Sequence, residues 1–325
     1  MPPEAALVAA YRAMVLGRRF DEQADALARQ GRLAVYPSSL GQEACQVAPA
    51  LVLRAGDWLF PTYRDSVALI SRGIDPAGVL TLLRGDWHSG YDPMAWRTAP
   101  QCTPLATHAA HAVGLAHAER LKGADTVALA LLGDGATSEG DFHEALNLAG
   151  VLHAPVVFLV QNNGYAISVP LCAQTAAPSL GYKGIGYGVR AERVDGNDVA
   201  AVLAVLAAAV EDARAGGGLW LVEAHTYRIG PHTSADDPSR YRPAEEVEQW
   251  RARDPIDRLS RRLRDRGLLD DKTAAAVAAD AEAFAAAVRE QLAQAPRLDP
   301  GSLFDHVFHT PTPQLAAARA EIDGA

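Results

Sequence analysis

Two polar motifs interrupt apolar runs in this sequence. Gly133-Asp134-Gly135 follows TVALALL, and Asn162-Asn163 follows VVFLV and Gln161, with 26 residues between the two motifs. A carboxylate and a carboxamide oxygen are hard ligands. Placed at two neighbouring strand ends they can hold Mg²⁺, which takes octahedral oxygen ligands at about 2.0–2.1 Å and draws the rest from phosphate and water. The flanking glycines predict a sharp turn and close backbone approach to a ligand, and a following helix would offer its N-terminus to an anion. Either motif alone is an ordinary turn. Together, at this spacing, they suit a diphosphate bridged to the protein through Mg²⁺.

The elements that must position these groups are legible around them. TVALALL reads as a short strand buried on both faces. After the glycines, Ser138 is a candidate cap for a helix whose Phe142, Ala145, Leu146 and Ala149 share one face, and Gly150 can end it. Pro155 introduces VVFLV as a second buried strand, so the segment is a βαβ unit between parallel strands. VRAERVD at 189–195 and LWLVEAHT at 219–226 are further strands, separated by an Ala/Val-rich helix from Asp198 to Arg214. In a parallel sheet, ligands bind beyond the carboxyl ends of the strands.

Helical spacing of Leu7, Ala10, Tyr11, Met14 and Val15 predicts a helix over 4–30, and another runs from Glu43 to Leu53. THAAHAVGLAHAERLK, 107–122, reads as a tightly packed helix. Downstream of 240 the charged segments predict surface helices, and Val277, Ala281, Phe284, Val288 and Leu292 make residues 271–294 amphipathic. The tail from Ser302 mixes aromatics with prolines, as either a docked terminus or a subunit contact. The fold class is thus α/β, a parallel sheet flanked by helices, with helical N- and C-terminal extensions. We expect a single domain over 1–325, with a core of about 40–240 and a C-terminal helical extension of about 243–325.

The 325 residues are 49% hydrophobic and carry a formal charge of −9. No basic stripe suggests nucleic acid, and no uncharged stretch reaches the roughly 20 residues of a membrane span. Cys45, Cys102 and Cys172 lack CxxC spacing, which argues against structural zinc and fits a reducing compartment, the cytoplasm by default. The spacing of His108, His111 and His117 invites a metal reading but lacks a third ligand on the same face.

Longer runs extend the pattern: GDGATSEGDFHEALNLA, VQNNGYAISVP, RVDGNDV, YRIGPHTSADDPSRYR, FPTYRD and PLATH. In order, across roughly 5–265, the chain resembles the alpha subunit of the decarboxylating component of two-subunit 2-oxo acid dehydrogenases, the pyruvate and branched-chain family. The resemblance implies a thiamine diphosphate-binding fold. It implies that Asp134 and Asn163 bind Mg²⁺ through side chains, with the main-chain carbonyl of Tyr165 as a third ligand. Tyr63, Arg64 and Arg228 would contact the diphosphate. Thr103 to Leu105 would lie against the cofactor, with Leu105 supporting its bent middle, and Gly133, Gly135 and Ala136 would approach it through backbone. His232 would be the alpha-subunit active-site histidine.

The implied reaction decarboxylates a small 2-oxo acid and passes the acyl group to a lipoyl arm. VQNNGYAISVP with RVDGNDV leans towards branched-chain substrates such as 2-oxoisovalerate, with pyruvate next. The cofactor-activating glutamate of this family comes from a beta subunit, so the resemblance implies an α₂β₂ heterotetramer, inactive as alpha alone, with a lipoyl acyltransferase core as further partner. Competing readings are the N-terminal half of a split transketolase and a non-catalytic binding relative. Gln161 stands where some relatives carry arginine, and His108 where some carry the glutamine of a potassium site. His88 is a loose match to a further histidine of relatives. Thr233 and Ser234 fall in a loop phosphorylated in some relatives, read here as a plain flexible polar loop.

Overall fold

The computed structural model describes residues 2–86, 89–293, 299–305 and 307–324; His88 lies outside them. Five parallel strands form the central sheet in the order β1-β2-β3-β7-β6, where β1 is Trp58–Phe60, β2 Ala128–Gly133, β3 Val156–Asn162, β6 Arg190–Asp195 and β7 Trp220–His225. Between β3 and β6 lies an antiparallel hairpin of β4 (Tyr165–Ala166) and β5 (Val169–Pro170). β2 and β3 are buried on both faces, as all-apolar parallel strands should be. Alternation sends Leu129, Leu131, Val157 and Leu159 into one apolar layer and Ala128, Ala130, Leu132, Val156, Phe158 and Val160 into the other.

The first layer is closed by helices Glu4–Arg29, Glu43–Val52 and Val199–Asp212, and the second by Thr107–Leu121 and Gly140–Leu152. Gly17 lets the long N-terminal helix approach its neighbour, because a Cβ there would meet Val67 Cγ1 at 2.5 Å. At the end of the sheet away from the motifs, buried Asp57 accepts from Val127 N at 2.9 Å and from both Nη atoms of Arg214 at 3.0 and 2.8 Å. That bidentate pair ties β1, β2 and the end of helix Val199–Asp212 together.

Aspartates open three of the later helices. Asp198 accepts from Ala200 N at 3.0 Å, Asp254 from Ile256 N at 2.9 Å and Asp270 from Thr273 N at 2.7 Å. The helix Asp271–Gln291 lies on the N-terminal helix, with Phe284 against Phe20 at 6.3 Å between ring centroids and Arg19 paired to Glu282 at 2.6 Å. The tail forms a short turn at Pro300–Leu303 and a helix Pro313–Asp323, leaving Leu303 and Phe308 exposed. No helix of the described residues is long and apolar enough to cross a membrane.

Two local expectations are corrected. Ser138 does not cap the helix after β2: it ends a 3-10 turn, Gly135–Ser138, and the helix begins at Gly140 after Glu139, whose side chain makes no cap bond. Gly150 does not end that helix, which runs to Leu152 and stops at His153 with φ 46°. The chain turns directly after β2 into the 3-10 turn Gly135–Ser138, although neither Gly133 nor Gly135 has positive φ. Gly135 also allows close approach within the chain, since a Cβ would sit 2.8 Å from Ala166 Cβ, and Gly133 faces open space.

Candidate active site

β2 and β3 are adjacent and in register from Ala128↔Val156 to Gly133↔Gln161, so their carboxyl ends lie side by side. The residues that follow open into a cavity of about 410 Å³. Asp134 and Asn163 both line it, and so do Tyr63, Arg64, Leu105, Gly133, Gly135, Ala136, Tyr165, Arg228 and His232. The two asparagines have different fates. Asn162, still in the strand, donates to the buried Glu223 at 2.7 Å, whereas Asn163 reaches the cavity and donates to Gln42 Oε1 at 3.2 Å.

Asp134 is 1% exposed, and burial raises its carboxyl above the usual range against the opposing hydrogen bond from Gln174. Its own carbonyl is held by Thr137, through N at 3.0 Å and Oγ1 at 2.7 Å, so the turn carrying it is braced from within. Gln161 donates to buried Asp65 at 2.7 Å, which also accepts from Thr62 N at 2.7 Å. This chain therefore uses the position before the asparagines to anchor the loop that carries Tyr63 and Arg64.

At the other end of the cavity two guanidinium groups converge. Arg64 Nη2 and Arg228 Nη1 donate to the same atom, His232 Nδ1, at 3.0 and 3.1 Å. A guanidinium has only donors, so Nδ1 is unprotonated and Nε2 carries the hydrogen. Burial first, then Arg64 and Arg228, lower His232 to about 4. Arg228 is 1% exposed and Arg64 7%, and neither forms an ion pair among the described residues. Burial and Arg64 lower Arg228 to about 10. Its Nη2 also donates to Ile167 O at 2.8 Å and Tyr241 Oη at 2.9 Å, while Nε has no partner. Asp236 holds the loop by accepting from His232 N at 2.7 Å and Tyr241 Oη at 2.5 Å.

The Dehydrogenase E1 component family matches residues 11–300. The chain is 48% identical over 320 residues, 98% of itself and 87% of the relative, to the 3-methyl-2-oxobutanoate dehydrogenase alpha subunit of Mycobacterium tuberculosis. The pyruvate dehydrogenase E1 alpha subunit of Staphylococcus aureus is 38% identical over 266 residues, covering 82% of this chain and 72% of the relative. That of Acholeplasma laidlawii is 35% identical over 318 residues, covering 96% and 91%. The chain belongs to the dehydrogenase E1 component family. Within it, the relatives are alpha subunits of 2-oxo acid dehydrogenases.

Against this family the sequence expectations divide. Thr103 is exposed and does not line the cavity. Cys102 N donates to Pro61 O and Tyr63 N to Cys102 O, both at 3.1 Å, and this ladder turns residue 102 inward instead. His108 is buried, with Nε2 2.6 Å from Leu131 O, a structural placement. Among the described residues no group of three or more His, Cys, Asp or Glu could hold a metal. The segment with Thr233 and Ser234 is not free polar chain, for Ser234 N donates to Tyr36 O at 3.0 Å and its Oγ accepts from Tyr36 N at 3.2 Å. Among the cavity residues that the sequence did not assign to the site are Gln42, beside Asn163, and Gln174, which donates to Asp134 Oδ2 at 2.7 Å. Both are glutamines outside any motif, so only the three-dimensional arrangement reveals them.

Proposed function

We propose that this E1 chain is the alpha subunit of a thiamine diphosphate-dependent dehydrogenase that decarboxylates a 2-oxo acid and delivers the acyl group to the lipoyl group of an acyltransferase. One observation carries the reading: the cavity holds two opposite charge imbalances. Among the described residues Asp134 is a buried carboxylate with no ion-pair partner, and Arg64 with Arg228 is a buried guanidinium pair with none. A diphosphate carrying Mg²⁺ supplies both missing charges, and the donor set fits it. Asp134, Asn163 and the Tyr165 carbonyl would hold Mg²⁺; Tyr63, Arg64 and Arg228 would hold the diphosphate.

When bound, the cofactor supplies the carbanion chemistry that breaks the bond to the departing CO₂. The chain's residues orient and exclude. Gly133, Gly135 and Ala136 form a smooth floor, Leu105 forms an apolar edge, and His232 presents Nε2–H as a hydrogen-bond donor. Were Arg64 and Arg228 to hold a phosphate in place of His232, Nδ1 would be free to accept a proton. Leu105, Ile167 and Val169, at 39, 56 and 43% exposure, leave an apolar rim that needs a cover. A beta subunit, in an α₂β₂ assembly that also contributes the activating glutamate, fits that need.

The 48% identity to a 3-methyl-2-oxobutanoate dehydrogenase alpha subunit favours a branched-chain 2-oxo acid over pyruvate. Family membership also weighs against a split transketolase. The test is co-expression with a beta subunit and assay of 2-oxoisovalerate and pyruvate with thiamine diphosphate and Mg²⁺. We expect decarboxylation and lipoyl acylation, faster with 2-oxoisovalerate, and none from the alpha chain alone. Faster turnover of pyruvate would reverse the substrate preference, and inactivity towards both would remove the reading.

A further inference from the structure

We propose that Gln174 is a positioning residue for the metal-binding carboxylate. It engages one oxygen of Asp134 so that a divalent cation takes the other alone, which favours Mg²⁺ over Ca²⁺. The inference rests on the reading of Asp134 as a Mg²⁺ ligand.

The amide orientation of Gln174 follows from its partners. Nε2 lies 2.7 Å from Asp134 Oδ2 and 3.0 Å from Val169 O, both acceptors, so the amino group must face them. Oε1 is buried without a partner. The side chain is therefore committed to these two bonds. The backbone around it is committed too: Leu171 N donates to Gly164 O at 2.9 Å, Tyr165 N donates to Asn163 Oδ1 at 3.3 Å, and Ala166 packs where a Gly135 Cβ would be. Gln174 is thus anchored to the strand end that carries Asn163 and Tyr165, and it reaches across to the neighbouring strand end that carries Asp134.

Mg²⁺ demands near-octahedral geometry, while Ca²⁺ takes 6–8 oxygens and accepts bidentate carboxylates. A donor fixed on Oδ2 disfavours the bidentate mode. Loss of a hydrogen-bonding partner to a ligating carboxylate typically costs 10–100-fold in metal affinity.

The test uses the assembled alpha–beta enzyme and titrates thiamine diphosphate by calorimetry with Mg²⁺ or with Ca²⁺. Gln174→Met keeps the side-chain length and removes the donor. We expect about 10–100-fold weaker Mg²⁺-supported binding and a smaller loss with Ca²⁺, so that the Mg²⁺/Ca²⁺ ratio falls. An unchanged ratio, whether both affinities drop equally or neither moves, overturns the proposal. Should Gln174→Met fail to assemble, Gln174→Asn, too short by one methylene, is read by the same ratio. Asp134→Ala separates the two levels. If it retains wild-type binding, the metal-site reading itself falls; if it abolishes binding while the Gln174 ratio is unchanged, only the role of Gln174 falls.

Discussion

Replacing Arg228 by methionine separates binding from stability. Arg228 is 1% exposed, and its depression to about 10, by burial and then Arg64, corresponds to about 3 kcal/mol of unfavourable charge burial at 1.36 kcal/mol per pH unit. Methionine removes that cost but also the bonds to Ile167 O and Tyr241 Oη at 2.8 and 2.9 Å, while the shared acceptor His232 Nδ1 keeps its bond from Arg64. Hydrogen bonds to charged groups are worth about 1.5–3 kcal/mol each, so the two lost bonds outweigh the relieved cost by only about 0–3 kcal/mol of cofactor-free stability. Cofactor binding has no such compensation. Losing a paired guanidinium contact to phosphate should weaken it by about 100-fold. Thermal unfolding of the alpha–beta assembly, with and without thiamine diphosphate and Mg²⁺, reads both effects. At a ligand concentration of 100 times the wild-type Kd, wild type should gain about 2.7 kcal/mol and the variant about 0.4 kcal/mol. A variant that keeps the full ligand-induced shift, or loses far more than about 3 kcal/mol without ligand, would show Arg228 to be structural.

Other substitutions and titrations probe the surroundings. Asp21 accepts from Tyr36 Oη, Ser38 Oγ and Ser39 N at 2.8, 2.5 and 2.7 Å, yet burial outweighs these bonds and raises it to about 6. Because the folded value lies above the unfolded one, its stabilisation is complete below about pH 4 and fades as pH rises through about 6. Denaturant titrations should show wild type losing about 2–2.5 kcal/mol relative to Asp21→Asn between pH 4 and 7, and a flat difference would contradict the shift. His232 should titrate near 4 in the cofactor-free assembly by NMR and move upward when thiamine diphosphate and Mg²⁺ draw off the arginines. A midpoint at about 6.5 in the free enzyme would mean that the arginines do not converge on it. Gly135→Ala, which places a Cβ 2.8 Å from Ala166, should cost about 1–3 kcal/mol of thermal stability. Gly133→Ala meets nothing within 4 Å, so it should fold normally and weaken cofactor binding; equal stabilities would refute the close-approach role of Gly135.

The βαβ unit was legible because its strands are nearly all apolar and its helix carries a regular stripe. Asp134 and Asn163 were legible because strand ends in a parallel sheet are where ligands go. β1 was not read: three residues carry no periodicity, and Trp58–Phe60 becomes a strand through pairing with Ala128–Ala130 on one side and a bridge from Leu59 to Thr98 on the other. The parting of Asn162 from Asn163 was equally hidden. It depends on Glu223, 61 positions away in the chain, which claims Asn162 from inside the core. Gln174 and Asp21 were invisible for the same reason, since their partners are set by packing and not by spacing.

The charge arrangement explains why the site is built across two strand ends and a distant loop. A buried carboxylate and a buried guanidinium placed together would pair and close the cavity; here Arg228 lowers Asp134 only as a distant charge, and no ion pair joins them. Each is instead held by neutral partners, Gln174 on one side and His232, Tyr241 and the Ile167 carbonyl on the other. Ile167 pays for this with φ 57°, a conformation that β-branched residues rarely adopt, at an exposed position on the rim. Neutral partners keep the charges apart and oriented without satisfying them. The energy withheld from the free chain is then available to a ligand carrying both signs, and a singly charged anion or a bare cation would relieve only one end.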